Sequence, residues 1–203
     1  MKKSLFIAFL FTISFAHAQS VVIAADKMNV FYLGVDNPVA IAVEGISDDK
    51  LTVSIDNGTI KRTGRGEYTA RLDSTGIAHI TVEWDGKKRL MPFREKPIPD
   101  PTIKGLRNPT HGIPKPEFRG LFAVVENFDI DARCSVKSYT FILVPTKGET
   151  KKIEVTGSAP DEVITLGNNL ESGDKVIISN IFVFCPGDKT ARVMKDTLTF
   201  VKN

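Results

Sequence analysis

The stretch that decides the fold is GIAHITVEWDGKKRLMPF, residues 76–93. Apolar side chains recur at every second position of its first half: Ala78, Ile80, Val82 and Trp84. A period of two is typical of a strand with one buried face. Asp85-Gly86 then supplies a tight turn, because glycine tolerates a positive φ. The stretch therefore predicts a β-hairpin whose apolar side covers a core.

Strand-like sequence patterns extend in both directions along the chain. LTVSI (51–55) and GEYTARL (66–72) alternate in the same way, and turn residues follow each of them. Farther on, RCSVKSYTFILV (133–144) and KVIISNIFVFC (175–185) are nearly continuous β-formers. Short strands separated by regular turns favour antiparallel sandwiches. We therefore expect an all-β protein made of two Ig-like antiparallel β-sandwiches, without an amphipathic helix of convincing length.

A proline-rich segment separates the two halves. Residues 96–117, KPIPDPTIKGLRNPTHGIPKPE, hold six of the eleven prolines. Proline lacks a backbone donor and disfavours both helices and central strands, so this composition predicts an extended connector. The expected domains are 19–95 and 118–203.

The first 18 residues predict a signal peptide. Lys2 and Lys3 precede a run of apolar residues, and Ala16-His17-Ala18 has the small-x-small pattern of a cleavage site. The run is shorter than the roughly 20 residues that a membrane-spanning helix needs. We expect cleavage after Ala18 and an exported, periplasmic protein without a transmembrane anchor, although a secreted or surface location is also compatible.

Charge argues against a polyanionic partner. The chain has 27 Lys and Arg against 24 Asp and Glu, and loss of Lys2 and Lys3 leaves 25 against 24. A nearly neutral protein has no electrostatic reason to bind nucleic acid or anionic lipid.

Cys134 and Cys185 are the two cysteines of the chain. In an oxidising compartment they could form a disulfide, which would stabilise the fold by closing a long loop. The alternative is two buried thiols on separate strands. Their spacing fits neither a metal site nor a CxxC redox motif.

The sequence offers no convincing catalytic or metal-binding set. His79 and His111 are far apart, on a strand and in the connector. Asp129 and Asp131 could help to hold Ca²⁺, but a calcium loop needs more oxygen ligands and a turn glycine. No phosphate-binding loop, nucleophile elbow or zinc-binding helix motif is present. We therefore predict no catalytic residues, no metal, no cofactor and no enzymatic activity.

Three stretches resemble one known family. KMNVFYLGVDNPVAIAVEGI (27–46) and GEYTARLDSTGIAHITV (66–82) are similar to the third domain of the GldM/PorM proteins of gliding motility and type IX secretion. GLFAVVENFDIDARCSVKSYTFIL (120–143) is similar to their fourth domain. The resemblance implies two periplasmic Ig-like domains. It does not include the transmembrane helix and the first two periplasmic domains of full-length relatives, so the motor role is not expected.

The resemblance also implies a place for partners. In relatives the corresponding end contacts the outer-membrane ring of the secretion machine, so we expect a protein partner in the cell envelope. A patterned edge strand can pair with another chain, and a homodimer could form in this way. The candidate interaction strand comprises Met28, Asn29, Val30, Phe31 and Tyr32.

Two functional hypotheses follow. The first is a non-catalytic interaction module similar to the docking end of GldM, an accessory of an envelope secretion or gliding complex. The alternative is a secreted or surface Ig-like module that binds glycan or a host protein. The fold alone does not choose between them.

Overall fold

The computed structural model describes residues 21–25, 29–105 and 118–202. The predicted signal peptide, Met28 and His111 lie outside these ranges. The described chain is all-β and contains several antiparallel sheets arranged as two sandwiches, which confirms the predicted fold class.

The first sandwich is formed by residues 21–25 and 29–96. Its strands in chain order are β1 (Val21–Ala25), β2 (Val30–Tyr32), β3 (Asn37–Val43), β4 (Thr52–Ile55), β5 (Thr59–Arg62), β6 (Glu67–Arg71), β7 (Ile77–Trp84) and β8 (Lys87–Lys96). One sheet has the order β1-β3-β6-β5, and the other has the order β2-β8-β7-β4. All pairs are antiparallel except β2 with β8, which is parallel.

The core of this sandwich lies where the alternation predicts it. Ala78, Ile80 and Val82 are fully buried on β7, while the residues between them face outward. The rings of Phe31 on β2 and Phe93 on β8 stack in the same core, with centroids 4.4 Å apart. Aromatic pairs of this kind stabilise a core beyond the area that they bury.

The second sandwich follows. Its elements are β9 (Thr102–Lys104), β10 (Phe122–Val124), β11 (Ser135–Val144), β12 (Lys151–Thr156), α1 (Asp161–Asn168), β13 (Lys175–Phe184), β14 (Arg192–Val193) and β15 (Leu198–Val201). The larger sheet has the order β12-β11-β13-β14, with β15 also paired to β13, and the smaller sheet pairs β9 with β10. The long β11 and β13 strands form the centre of this domain.

Helix α1 is an element that the alternation did not reveal. It follows Pro160 and carries Asp161 and Glu162 in its first turn. Carboxylates at this position stabilise a helix, because they interact favourably with the helix dipole. Val163 is its buried residue. At eight residues, the helix is too short to give a clear helical period in a β-rich sequence. Among the described residues no helix is long and apolar enough to cross a membrane.

Part of the proline-rich segment belongs to the second core. Ile98 and Ile103 are buried there, and β9 pairs with β10. Pro97 and Pro99 flank Ile98 and favour an extended backbone there. Successive side chains of an extended backbone point to opposite sides, so Ile98 can face the core. The connector thus differs from the expected 96–117, since residues 97–105 pack with the second sandwich. Residues 106–117 lie outside the described ranges.

Truncation of Phe31 tests whether β2 is first of all a core strand. We expect Phe31→Ala to lower the free energy of unfolding by about 3–5 kcal/mol, because it removes a fully buried ring and the stacking of that ring on Phe93. Val22→Ala, at a 58% exposed residue of β1 in the other sheet, should change it by less than about 0.5 kcal/mol. Urea denaturation measures both, and equal losses would contradict the packing described here.

Candidate functional site at the domain joint

The loop between β2 and β3 reaches from one sandwich into the other. Leu33 is buried in the first core, whereas Val35, two residues later, is buried in the second core with only 4% of its surface exposed. A single short loop therefore contributes side chains to both domains. We call the contact between residues 33–38 and the second sandwich the domain joint.

Close backbone approach makes the domain joint possible. Gly34 has φ +72°, and a Cβ atom placed on it would lie 2.1 Å from the backbone nitrogen of Gly187. Gly187 has φ +82°, and a Cβ atom there would lie 2.6 Å from Cβ of Leu33. Both positions therefore require glycine, for conformation and for space. The two backbones touch, and this contact positions Val35 over the second core.

Asn37 shapes the same loop from within. Its side chain is buried, and its Oδ1 accepts a hydrogen bond from the Tyr32 amide at 2.8 Å. Its Nδ2 donates to the carbonyls of Tyr32 at 2.9 Å, Val35 at 3.0 Å and Ala70 at 3.2 Å. A buried amide side chain with these partners fixes the loop, because any other conformation would leave polar atoms unpaired.

The predicted interaction strand lies at this joint. Within Met28–Tyr32, the part from Val30 is β2, at the edge of its sheet, with Phe31 in the core. The Asn29 carbonyl and the Leu33 amide form hydrogen bonds with β8. Because backbone groups alternate in direction along a strand, the amide and carbonyl of Tyr32 face the outer side. There Asn37 already pairs with both backbone groups of Tyr32. Pairing of this edge with another chain stays a prediction.

An aromatic contact adds to the joint. The Tyr32 ring meets the Phe128 ring of the second sandwich edge-on, with centroids 4.7 Å apart and planes at 86°. A cavity of about 240 Å³ beside them is lined by residues of both domains, among them Pro38 and Ile130. Phe128 follows the Glu126-Asn127 pair of the stretch that carries the resemblance.

Arg192 ties the connector to the joint. Its guanidinium donates to the Asp188 carboxylate at 2.7 Å, to the Ile98 carbonyl at 2.7 Å and to Asp100 at 2.9 Å. Asp188 also accepts from the Cys185 amide at 2.8 Å. Charge-assisted hydrogen bonds on a mostly buried arginine are stronger than exposed ion pairs. The turn at 185–188 is therefore held from both sides.

Cys134 and Cys185 form a disulfide in the structure, with Cα atoms 4.1 Å apart and a sequence separation of 51. A closed loop of that length stabilises a fold by about 4 kcal/mol in the chain-entropy account. Cys185 directly precedes Pro186 and Gly187, so the bond connects the start of β11 to the turn that contacts Gly34.

The remaining residues that the sequence singled out serve local structure. His79 Nδ1 lies 2.7 Å from Oδ2 of Asp56, an aspartate–histidine pair on the outer side of the first sandwich. Asp131 pairs with Arg133 at 3.4 Å. In the ranges that the structure describes, no three His, Cys, Asp or Glu side chains are grouped as metal ligands.

Glu95 is a polar residue that sequence reasoning missed. Its Oε1 accepts from Asn57 at 2.7 Å, while its Oε2 is buried without a hydrogen bond. Burial raises the pKa of Glu95, and the nearby Asp56 carboxylate adds to the rise, against the lowering effect of the Asn57 hydrogen bond. The site forms where two turns meet the end of β8, so no local sequence signal could have revealed it.

Two family models match consecutive parts of the chain. The family model of the GldM third domain matches residues 20–94, and that of the GldM C-terminal domain matches residues 97–201. The chain belongs to the GldM family. Its members are structural components of gliding motility and type IX secretion, and their C-terminal domains are periplasmic. The two matches meet between residues 94 and 97, at the end of β8.

Two other comparisons add little to the GldM assignment. No curated protein matches the chain. Among solved structures, domains 5–6 of the S-layer protein SbsC align with 91% of this chain and 98% of that chain, at 15% identity and a TM-score of 0.23. A score that low supports no conclusion about this GldM-family chain.

Two glycines with the same backbone conformation test the joint. Gly34 (φ +72°) touches Gly187, whereas a Cβ atom on Gly45 (φ +74°) would meet nothing within 4 Å. We expect Gly45→Ala to cost about 1–2 kcal/mol of stability, from the left-handed conformation alone. Gly34→Ala should cost about 1–3 kcal/mol more, because the added methyl group clashes with backbone. Equal losses in urea denaturation would show that the domains do not touch here.

The pH dependence of stability tests Glu95. The pKa of Glu95 is higher in the folded protein than its ordinary value of about 4.5. The stability that this shift contributes to the folded state is therefore fully present below pH 4.5. That contribution is lost as the pH rises through the raised folded pKa. We expect Glu95→Gln to flatten the fall in unfolding free energy above pH 4.5. Glu83→Gln, on the neighbouring strand, controls for the loss of one carboxylate, and identical profiles for the two variants would contradict the assignment.

Proposed function

We propose that this chain is a non-catalytic, exported protein-interaction module that corresponds to the docking end of GldM. It acts in the periplasm as an accessory of an envelope gliding or secretion complex. The observation that carries the proposal is the domain joint, which combines two GldM-family domains into one unit. Fixed domains lose little conformational entropy on binding, which favours docking.

The chemistry of the polar residues supports a role in binding rather than in catalysis. Asn37 is committed to the β2–β3 loop, and Asp188 and Arg192 are committed to each other and to the connector. Catalysis needs converging groups that are free to meet a substrate. The family is one of structural motility and secretion components, in agreement with this proposal.

An exposed apolar patch on the second sandwich supplies a docking surface. Phe182 on β13 is 37% exposed, and its direct cross-strand neighbour Val193 on β14 is 62% exposed. Phe184 lies two residues along the same strand, with Lys137 Nζ 5.5 Å from its ring centroid. We call these four residues the aromatic patch. Exposed aromatic residues beside a cation are typical of protein-binding surfaces.

The proposed partner is a protein of the cell envelope, with secretion-ring components as the first candidates. Homodimerisation through Met28–Tyr32 is a less favoured route, because Asn37 occupies the outer backbone groups of Tyr32. The aromatic patch has no such cover among the described residues. We therefore place the docking function on the second sandwich.

Export is the other part of the proposal. We propose cleavage after Ala18 and residence in the periplasm, as for the C-terminal domains of the family. Sequencing of the mature N-terminus should start at Gln19, and cell fractionation should recover the protein with periplasmic markers. Recovery from the medium or cell surface would favour the alternative module that binds glycan or a host protein.

Affinity capture tests the docking face. The tagged chain, incubated with an envelope fraction of the source cells, should retain a ring or other envelope protein, identified by mass spectrometry. Phe182→Ser should reduce capture at least tenfold, because it removes an exposed aromatic contact. Val22→Ser, an exposed change on the first sandwich, should leave capture unchanged.

Two results of the capture experiment would contradict the proposal. Recovery of chaperones alone would argue against an envelope partner. Equal capture by Phe182→Ser and the unmodified chain would show that the aromatic patch is not the docking face. Circular dichroism of both variants verifies that each is folded.

A further inference from the structure

We propose that the Cys134–Cys185 disulfide is a redox-controlled lock on the domain joint, opened by a dithiol oxidoreductase that attacks Cys134. This inference is independent of the identity of the docking partner. It rests on two features of the bond: one sulfur belongs to the joint, and the other can be reached from the surface.

Cys185 belongs to the joint. It is fully buried, and its carbonyl accepts the Asp188 amide at 3.1 Å while its amide donates to the Asp188 carboxylate at 2.8 Å. The next two residues include Gly187, whose backbone touches Gly34. The disulfide therefore fixes the position of the turn on which the first sandwich rests.

Cys134 faces the surface. It is half-buried and lines two open cavities of about 630 and 540 Å³, both of which run along β10. Cys185, by contrast, is fully buried. Attack on this disulfide from solvent is therefore directed to Cys134.

The exchange is an ordinary two-electron reduction. A thiolate of the oxidoreductase attacks Sγ of Cys134, the Cys134–Cys185 bond breaks, and Cys185 leaves as a thiolate that takes up a proton. The second thiol of the oxidoreductase loses its proton and attacks the mixed disulfide, and Cys134 leaves and is protonated. Two electrons and two protons pass to this chain, and the dithiol becomes a disulfide.

Reduction should loosen the joint without unfolding the domain. Strand β11 remains paired with β12 over residues 138–143 and with β13 up to residue 144, through backbone ladders that do not include either cysteine. Within the turn at 185–188, the Asp188 carboxylate would keep its hydrogen bonds with Cys185 and Arg192. The turn would lose its covalent bond to the start of β11. A bond with only a general structural role would instead increase exchange uniformly across the second sandwich.

Hydrogen–deuterium exchange on the full exported chain separates these two outcomes. The probe is dithiothreitol, with a CxxC oxidoreductase as catalyst. We expect exchange in peptides covering 33–37 and 185–192 to increase on reduction at least tenfold more than exchange in β13, while β7 keeps its protection. Unchanged exchange at 33–37 would overturn the proposal, and so would an equal increase throughout β11 and β13.

Two variants calibrate that experiment. Val35→Ala weakens the joint while the disulfide stays intact, so its local exchange pattern is the reference for a loosened joint. Cys134→Ser with Cys185→Ser should reproduce the reduced pattern without any reductant. A double variant that exchanges like the oxidised chain would contradict the lock.

The direction of attack has its own test. An oxidoreductase whose resolving cysteine is replaced by serine should accumulate as a mixed disulfide with this chain. Peptide mapping should locate the conjugate at Cys134. A conjugate at Cys185, or no conjugate under conditions that reduce the chain, would overturn the proposed entry point.

Discussion

The structure depends on one close contact, between the backbones of Gly34 and Gly187. Because neither residue has a side chain, the β2–β3 loop can approach the second sandwich closely enough for Val35 to enter its core. Two domains that would otherwise be joined only by a connector thus share apolar burial. Asn37 holds the loop in the required shape, and the disulfide at Cys185 holds the opposing turn.

This contact changes the meaning of the sequence stretch that best resembles the GldM family. Alone, Tyr32–Pro38 looks like an edge strand followed by a turn, and an edge strand suggests pairing with another chain. In the structure the same residues supply a half-buried aromatic ring that packs on Phe128, a glycine contact and a buried amide side chain. Because the stretch has this internal task, we propose the aromatic patch on β13 and β14 as the docking surface.

The sequence predicted the architecture well because sandwich strands bear a period-two signal that needs no tertiary information. Ala78, Ile80 and Val82 were assigned to the core from alternation and are buried there. Helix α1 was missed because eight residues give too little periodic signal. The burial of Ile98 and Ile103 was missed because proline content predicts an extended local backbone and says little about which neighbouring side chains pack inward.

The candidate site was harder to predict for a different reason. A glycine at position 34 is compatible with any turn, but its need for space arises from Gly187, more than 150 residues later in the chain. The environment of Glu95 likewise depends on Asn57 from a distant turn. Contacts of this range leave no pattern in a single sequence. The pairing of Cys134 with Cys185 was an open alternative for the same reason.

Residual dipolar couplings of the chain report the relative orientation of the two sandwiches in solution, and they test the contact between Gly34 and Gly187 most directly. We predict that couplings from strands β3 to β8 and from β11 to β13 fit a single alignment tensor with the orientation described here. Two tensors of different magnitude, as independently moving domains produce, would contradict it.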